Sequence, residues 1–161
     1  MGMKVTVYDN LDPNTGGNLF NVEPFRKDLE LVIGDIRNYQ DVAQMVANKD
    51  LVINCAASTS HPHSMRQPWA NLEVNSRGAL NILEAVRSVN NEIRIVHLGT
   101  TTQMGPLQYH PADESHPEFP VDMYSANKVV AEKYMLLYAK AYYLDIAVIR
   151  LPNVYGPRAA I

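Results

Sequence analysis

The sequence predicts an α/β fold in which helices cover a parallel sheet, and three observations carry that prediction. Short apolar runs rich in β-branched residues recur along the chain. Segments with helical spacing separate them, and two of the runs, 51–55 and 146–149, are apolar without alternation, as in strands buried on both faces. The 161 residues suit one domain, and 47% hydrophobic with 19% charged side chains can supply a sizeable core. A formal charge of −3 gives no basic field for a phosphate backbone, so nucleic acid is not an expected partner. No stretch approaches the ~20 apolar residues of a membrane span and the first residues carry no signal pattern, so a cytoplasmic protein with no membrane partner is expected.

Taken in order, strands are predicted at 4–9, 29–33, 50–55, 93–98 and 145–151, each delivering its carboxyl end to a polar or Gly-containing loop. Helices are predicted at 39–47, 68–88 and 122–143, with Pro68 suited to a first turn and Asp122 to an N-cap. The second of these places Leu72, Val74, Leu80, Ile82, Leu83 and Val86 largely on one side, the face that lies on a sheet. Between 105 and 121, Pro106, Pro111, Pro117 and Pro120 forbid a regular element and predict a long surface loop of the kind that borders binding sites. His61-Pro62-His63 reads as an extended, solvent-exposed pair with no third ligand, and no metal is assigned. His110 and His116 are expected at the surface of the Pro-rich loop. Cys55 is expected as a buried small hydrophobe.

Chemistry concentrates in two places. Tyr124 and Lys128 are four apart on a predicted helix and share a face, where an ammonium lowers the pKa of a phenol and makes it a usable general acid and base. A Tyr-x-x-x-Lys pair also arises by chance in a chain with nine tyrosines. Lys128 and Glu132, likewise four apart, read equally as a helix-surface ion pair. Upstream, the strand at 93–98 runs into Gly99-Thr100-Thr101-Thr102, which sets hydroxyls where open α/β sheets bind ligands; the alternative is a Thr-rich turn satisfying its own backbone.

These residues, with five further segments, resemble the extended short-chain dehydrogenase/reductase family, the nucleotide-sugar epimerases and dehydratases. The segments are Thr6-Val7-Tyr8-Asp9-Asn10-Leu11, Gly34-Asp35-Ile36-Arg37, Val52-Ile53-Asn54-Cys55-Ala56-Ala57, the run from Glu73 to Asn81 around Asn75, and the run from Arg150 to Arg158. The resemblance implies a Rossmann-like, doubly wound sheet that binds NAD through Asp9, Asn10, Asp35, Ile36, Cys55, Ala56, Ala57, Thr59, Asn75, Tyr124, Lys128 and Pro152. It implies a nucleotide-sugar substrate touched by Thr100, Tyr124 and Asn153, with Thr100, Tyr124 and Lys128 as the catalytic residues. Asp9 accepts ribose hydroxyls and repels a 2′-phosphate, which favours NAD over NADP. The implied reaction passes a hydride from a sugar carbon to NAD and back, as in UDP-glucose 4-epimerase. Dehydratases of the family usually carry Asp-Glu after the catalytic threonine, where this chain has Thr101-Thr102, so the epimerase reading is preferred to a 4,6-dehydratase.

One departure is large. The family opens with a strand, a Gly-x-x-Gly-x-x-Gly turn and a helix that holds the pyrophosphate, and the glycines here show no such spacing. The expectation is therefore residues 1–161 as an incomplete NAD-binding domain without the first strand-turn-helix unit and without the smaller substrate domain. The central strand so lost would leave open edges on 4–9 and 51–55. A non-catalytic fold remnant is the alternative. The Tyr-rich helix at 124–143 is apolar around much of its circumference, which suggests a homodimer contact.

Overall fold

The computed structural model describes residues 2–157, so Arg158 of the last resembling segment lies outside the described residues. Five strands form: β1 (Val5–Asp9), β2 (Leu29–Ile33), β3 (Leu51–Asn54), β4 (Arg94–Thr100) and β5 (Ile146–Leu151). All pairing is parallel, and it divides into two ladders, β1–β2 and β3–β4–β5. β1 and β3 share no ladder, so each has one edge unpaired among the described residues.

The helices are α1 (Tyr39–Val46), α2 (His61–Arg66), α3 (Pro68–Leu72), α4 (Gly78–Val89) and α5 (Met123–Tyr142). Asn38 caps α1 through the Gln40 N–H, and Asp122 caps α5 through the Ser125 N–H at 2.7 Å. The helix predicted at 68–88 is interrupted by one π-helical turn, Glu73–Arg77, between α3 and α4. Such turns shift the facing of neighbouring side chains by one residue, and here it buries Asn75 and Ser76.

α4 and α5 lie against one face of the larger sheet. Ile95 on β4 packs with Leu83, Ala85, Val86, Ala131 and Met135, all buried, and α1 adds Val42 and Val46 at the rim. The strands predicted to be covered on both faces are covered on one. Leu51, Ile53 and Ile149 are 41%, 56% and 45% exposed on the opposite side, because no described helix crosses it. The apolar pattern is that of a two-sided sheet; these residues supply one side's cover.

His61-Pro62-His63 corrects the expected extended geometry: Pro62 sits in the first turn of α2, where its missing N–H costs no bond. His116 is also buried rather than exposed, accepting at Nε2 from the Gln108 N–H (2.9 Å) and bonding Pro117 C=O through Nδ1 (2.7 Å), which folds the Pro-rich loop on itself. The loop joins the sheet edge at Gly105. There φ is +62°, and an added Cβ would lie 2.0 Å from the Phe119 carbonyl oxygen, so only glycine fits.

Candidate active site

An open cleft of about 270 Å³ lies at the carboxyl ends of β1 and β3. Asp9, Asn10, Asp35, Ile36, Cys55, Ala56 and Ala57 all line it, seven of the predicted cofactor-contacting positions. Asp9 ends β1 and fixes the following turn by accepting from the Leu11 N–H at 2.7 Å. Asp35 accepts from Asn10 Nδ2 (3.0 Å) and is forked by Arg37, whose guanidinium holds its carboxyl down at about 2. Cys55 is exposed to the cleft, correcting the expectation of a buried thiol. Partial desolvation pushes the thiol up, away from the nucleophilic form, and the Lys128 charge acts the other way.

Thr59 and Asn75 stand apart from the cleft wall. Thr59 is exposed and does not line it. Asn75 is buried: its Oδ1 accepts from the Ser58 N–H (2.8 Å), and its Nδ2 donates to Ser58 C=O (3.0 Å) and to Asn71 Oδ1 (3.1 Å). It therefore holds the loop that lines the cleft rather than reaching into it. Asn71 donates to the same Ser58 carbonyl, and Asn127 donates to Asn71 Oδ1 at 2.8 Å, which ties α5 to this loop. Sequence reading missed Asn71, Asn127 and Ser58. The i, i+4 spacing of Asn71 and Asn75 was the available signal.

The trio expected to be catalytic gathers where the end of β4 meets the start of α5, outside the cleft lining. Thr100 is the last residue of β4, Tyr124 and Lys128 lie on the buried side of α5, and all three are less than 9% exposed. The Thr100 hydroxyl takes the turn role considered for it and also faces Tyr124. It caps the 3₁₀ turn that follows, accepting from the Thr102 N–H at 3.2 Å, and its hydrogen bond with Tyr124 favours the phenolate. Burial outweighs that bond, with a further push from Asp122, so the phenol is raised and not lowered. The lowering expected from Lys128 is not seen: its ammonium donates to the Leu98 carbonyl, and with its own value at about 8 it is largely neutral before the raised phenol ionises. Burial lowers Lys128 to about 8, opposed by Cys55 and Glu132.

Glu132 is no surface partner of Lys128. It is buried, bound by Arg150 at 2.6 and 3.0 Å and by Gln103 Nε2 at 2.9 Å, so its carboxyl stays ionised despite desolvation. Arg150 reaches Glu118 of the Pro-rich loop as well, at 3.0 Å, so β5, α5 and that loop share one ion network. Pro152 and Asn153 follow β5, whose Leu151 is in register with Thr100, and both are exposed and outside the cleft wall.

A dinucleotide is an uneven fit to these residues. The cleft offers acidic and backbone groups suited to an adenosine end, and the trio suits a nicotinamide end. For the pyrophosphate the lining offers no α-helix N-terminus among the described residues, only single 3₁₀ turns capped by Asp12 and Asn18, and its Arg37 is already paired with Asp35.

The comparisons with known proteins agree with the fold and narrow the family. A family model described as the NAD dependent epimerase/dehydratase family matches residues 2–160. A provisional UDP-glucose 4-epimerase of Methanocaldococcus jannaschii is 34% identical over 156 residues, covering 96% of this chain and 49% of that protein. A dTDP-glucose 4,6-dehydratase of Streptomyces niveus is 31% identical over 158 residues, covering 97% and 46%. Among solved structures, the dTDP-glucose 4,6-dehydratase of Streptomyces venezuelae with NAD bound superposes with a TM-score of 0.90 at 28% identity, covering 96% of this chain and 48% of that one. The UDP-glucose 4-epimerase of Brucella ovis in complex with NAD gives 0.82 at 26% identity, covering 92% and 44%. The chain spans about half the length of the relatives it matches. With a model matched over nearly every residue and a Rossmann-type α/β arrangement to go with it, the chain belongs to the NAD dependent epimerase/dehydratase family.

Proposed function

We propose that these residues form part of an NAD-dependent nucleotide-sugar epimerase resembling UDP-glucose 4-epimerase, in which Tyr124 moves the proton. The observation that carries this reading is the convergence of Thr100, Tyr124 and Lys128 at the carboxyl edge of the sheet, with Lys128 close enough to Cys55 to connect them electrostatically to the cleft. In this reading Asp9 accepts the ribose hydroxyls of the adenosine, and Asp35, Ile36 and the Cys55–Ala57 loop border its base. Thr100 orients the reacting sugar oxygen, and Tyr124 takes and returns its proton. Lys128 holds the nicotinamide ribose and, once drawn from Leu98, favours the phenolate. NAD supplies the acceptor and donor of the hydride. Thr59, Pro152 and Asn153 are kept as contacts to cofactor and sugar nucleotide in the longer protein.

The epimerase reading is preferred to a dehydratase because Thr102 stands where an acid is expected, and its hydroxyl is engaged by Ser125 (3.0 Å) and Thr100 (3.0 Å). We propose further that residues 1–161 are one part of the NAD-binding domain, completed elsewhere by a phosphate-binding unit and a substrate domain, and that a homodimer forms through α5. The dimer patch is smaller than the sequence suggests. Tyr124 and Tyr138 are buried, which leaves Leu136, Leu137, Tyr142 and, just past the helix, Tyr143 outward. No helix among the described residues is long and apolar enough to cross a membrane.

Calorimetric titration of NAD⁺ into the folded chain, together with Tyr124→Phe in the longer protein, tests the reading. Saturable binding to the chain and loss of epimerisation in the variant support it. Full turnover by Tyr124→Phe would remove the proton-transfer role, and no heat from a folded chain would place cofactor binding in the completing segment.

A further inference from the structure

The start of α5 meets α2 in a contact that the catalytic reading does not use. His61 opens α2, and its Nδ1 lies 2.5 Å from Asp122 Oδ2. The same imidazole stands edge-on to the Tyr124 ring, with centroids 4.8 Å apart and planes at 72°. Asp122 spends its other oxygen on capping α5. The backbones are clamped too: Ser64 Oγ donates to the His61 carbonyl (2.7 Å) and accepts from the Tyr124 N–H (3.1 Å). His61 is thus held beside Tyr124 through its ring, its imidazole nitrogen and its carbonyl.

The charge arrangement has a direction. Asp122 disfavours ionisation of the phenol, and His61 is the side chain paired to that carboxylate. The imidazole is 45% exposed, so protons from solvent reach it, whereas the carboxylate is only 13% exposed. Of the helices packed against α2, α5 presents Asp122 and Tyr124, and α3 carries no titratable side chain. His63 and Arg66 share α2 with His61.

We propose that His61 is a positioning residue for Tyr124: paired to Asp122, its imidazole props the phenol ring and, when protonated, offsets the carboxylate charge beside it. This rests on the proton-transfer role proposed for Tyr124. A charged imidazole at that place counters the carboxylate and favours loss of the phenolic proton.

The test is NMR of the chain with ¹³C-labelled tyrosine, the Tyr124 ring signal being the one lost in Tyr124→Phe. In the wild type that signal is expected to change with pH. The change disappears in His61→Asn, which keeps a donor near the place of Nδ1 but has no exchangeable ring charge. In Asp122→Asn, which still caps the helix, its size is altered because the imidazole loses its charged partner. A Tyr124 signal flat with pH in the wild type overturns the proposal, and so does a response unchanged in His61→Asn or, should that variant not fold, in Asp122→Asn. The measurement needs neither cofactor nor substrate. It therefore decides on His61 separately from the catalytic role, which stands or falls on the activity of Tyr124→Phe.

Discussion

Two buried bases give the residue scale its measurable consequences. His97 is 1% exposed, its Nδ1 meets Asn54 Nδ2 at 3.0 Å, and its Nε2 has no partner among the described residues. Desolvation, with Lys128 adding to it, lowers the imidazole to about 4, so the folded state keeps it neutral. The unfolded chain takes up that proton first as pH falls below about 6.5, which costs stability until the folded state also protonates near 4. The wild type is therefore expected to lose roughly 3 kcal/mol relative to His97→Gln between pH 6.5 and 4, read by urea unfolding at each pH. Lys128 works the other side of neutrality. Its folded value of about 8 lies below the ordinary 10.5, so the unfolded chain holds the extra proton between the two and stability rises with pH there. Relative to Lys128→Met, the wild type should gain stability as pH climbs from 8 toward 10.5. The strand end at Thr100 and the i, i+4 spacing of Tyr124 and Lys128 were legible as local signals, and it was the family resemblance that joined them into one expected site. Neither could place the phenol's proton, because desolvation depends on everything packed around the ring.

At the scale of elements, helix starts and one glycine fix how the site is assembled. Asp122 does double duty, capping α5 and holding His61, so Asp122→Ala is expected to cost about 1 kcal/mol for the cap alone. Asp122→Asn should retain most of that cap in thermal unfolding. Gly105→Ala meets both a left-handed φ and the Phe119 carbonyl. It should destabilise the fold by more than about 1 kcal/mol and detach the Pro-rich loop, which proteolysis between 105 and 121 would reveal. The cap at Asp122 and the first-turn proline at Pro68 were legible because their signals lie within a few residues. The π turn at Glu73–Arg77 was not. Its cause is the fit of Asn71, Asn75 and Ser76 to the Ser58 loop and to Asn127, partners up to 56 residues away in sequence.

For the molecule as a whole, the unsatisfied features are the inner edges of β1 and β3 and the uncovered apolar face of the sheet. Open parallel edges and exposed Leu51, Ile53 and Ile149 invite association. The chain alone is expected to self-associate with concentration, and Ile53→Lys should shift it toward monomer in sedimentation velocity. By itself, the sequence determined the order of strands and helices, the parallel α/β class and the strand-end and helix positions of the trio, since periodicity and turn chemistry are properties of neighbours. Only the tertiary structure decided that His61 sits on Tyr124, that Glu132 belongs to Arg150 and not to Lys128, that Cys55 faces the cleft and that one face of the sheet stands open. Each of these depends on which distant segments come into contact or fail to, and burial, charge pairing and hydrogen-bond satisfaction are set by those contacts.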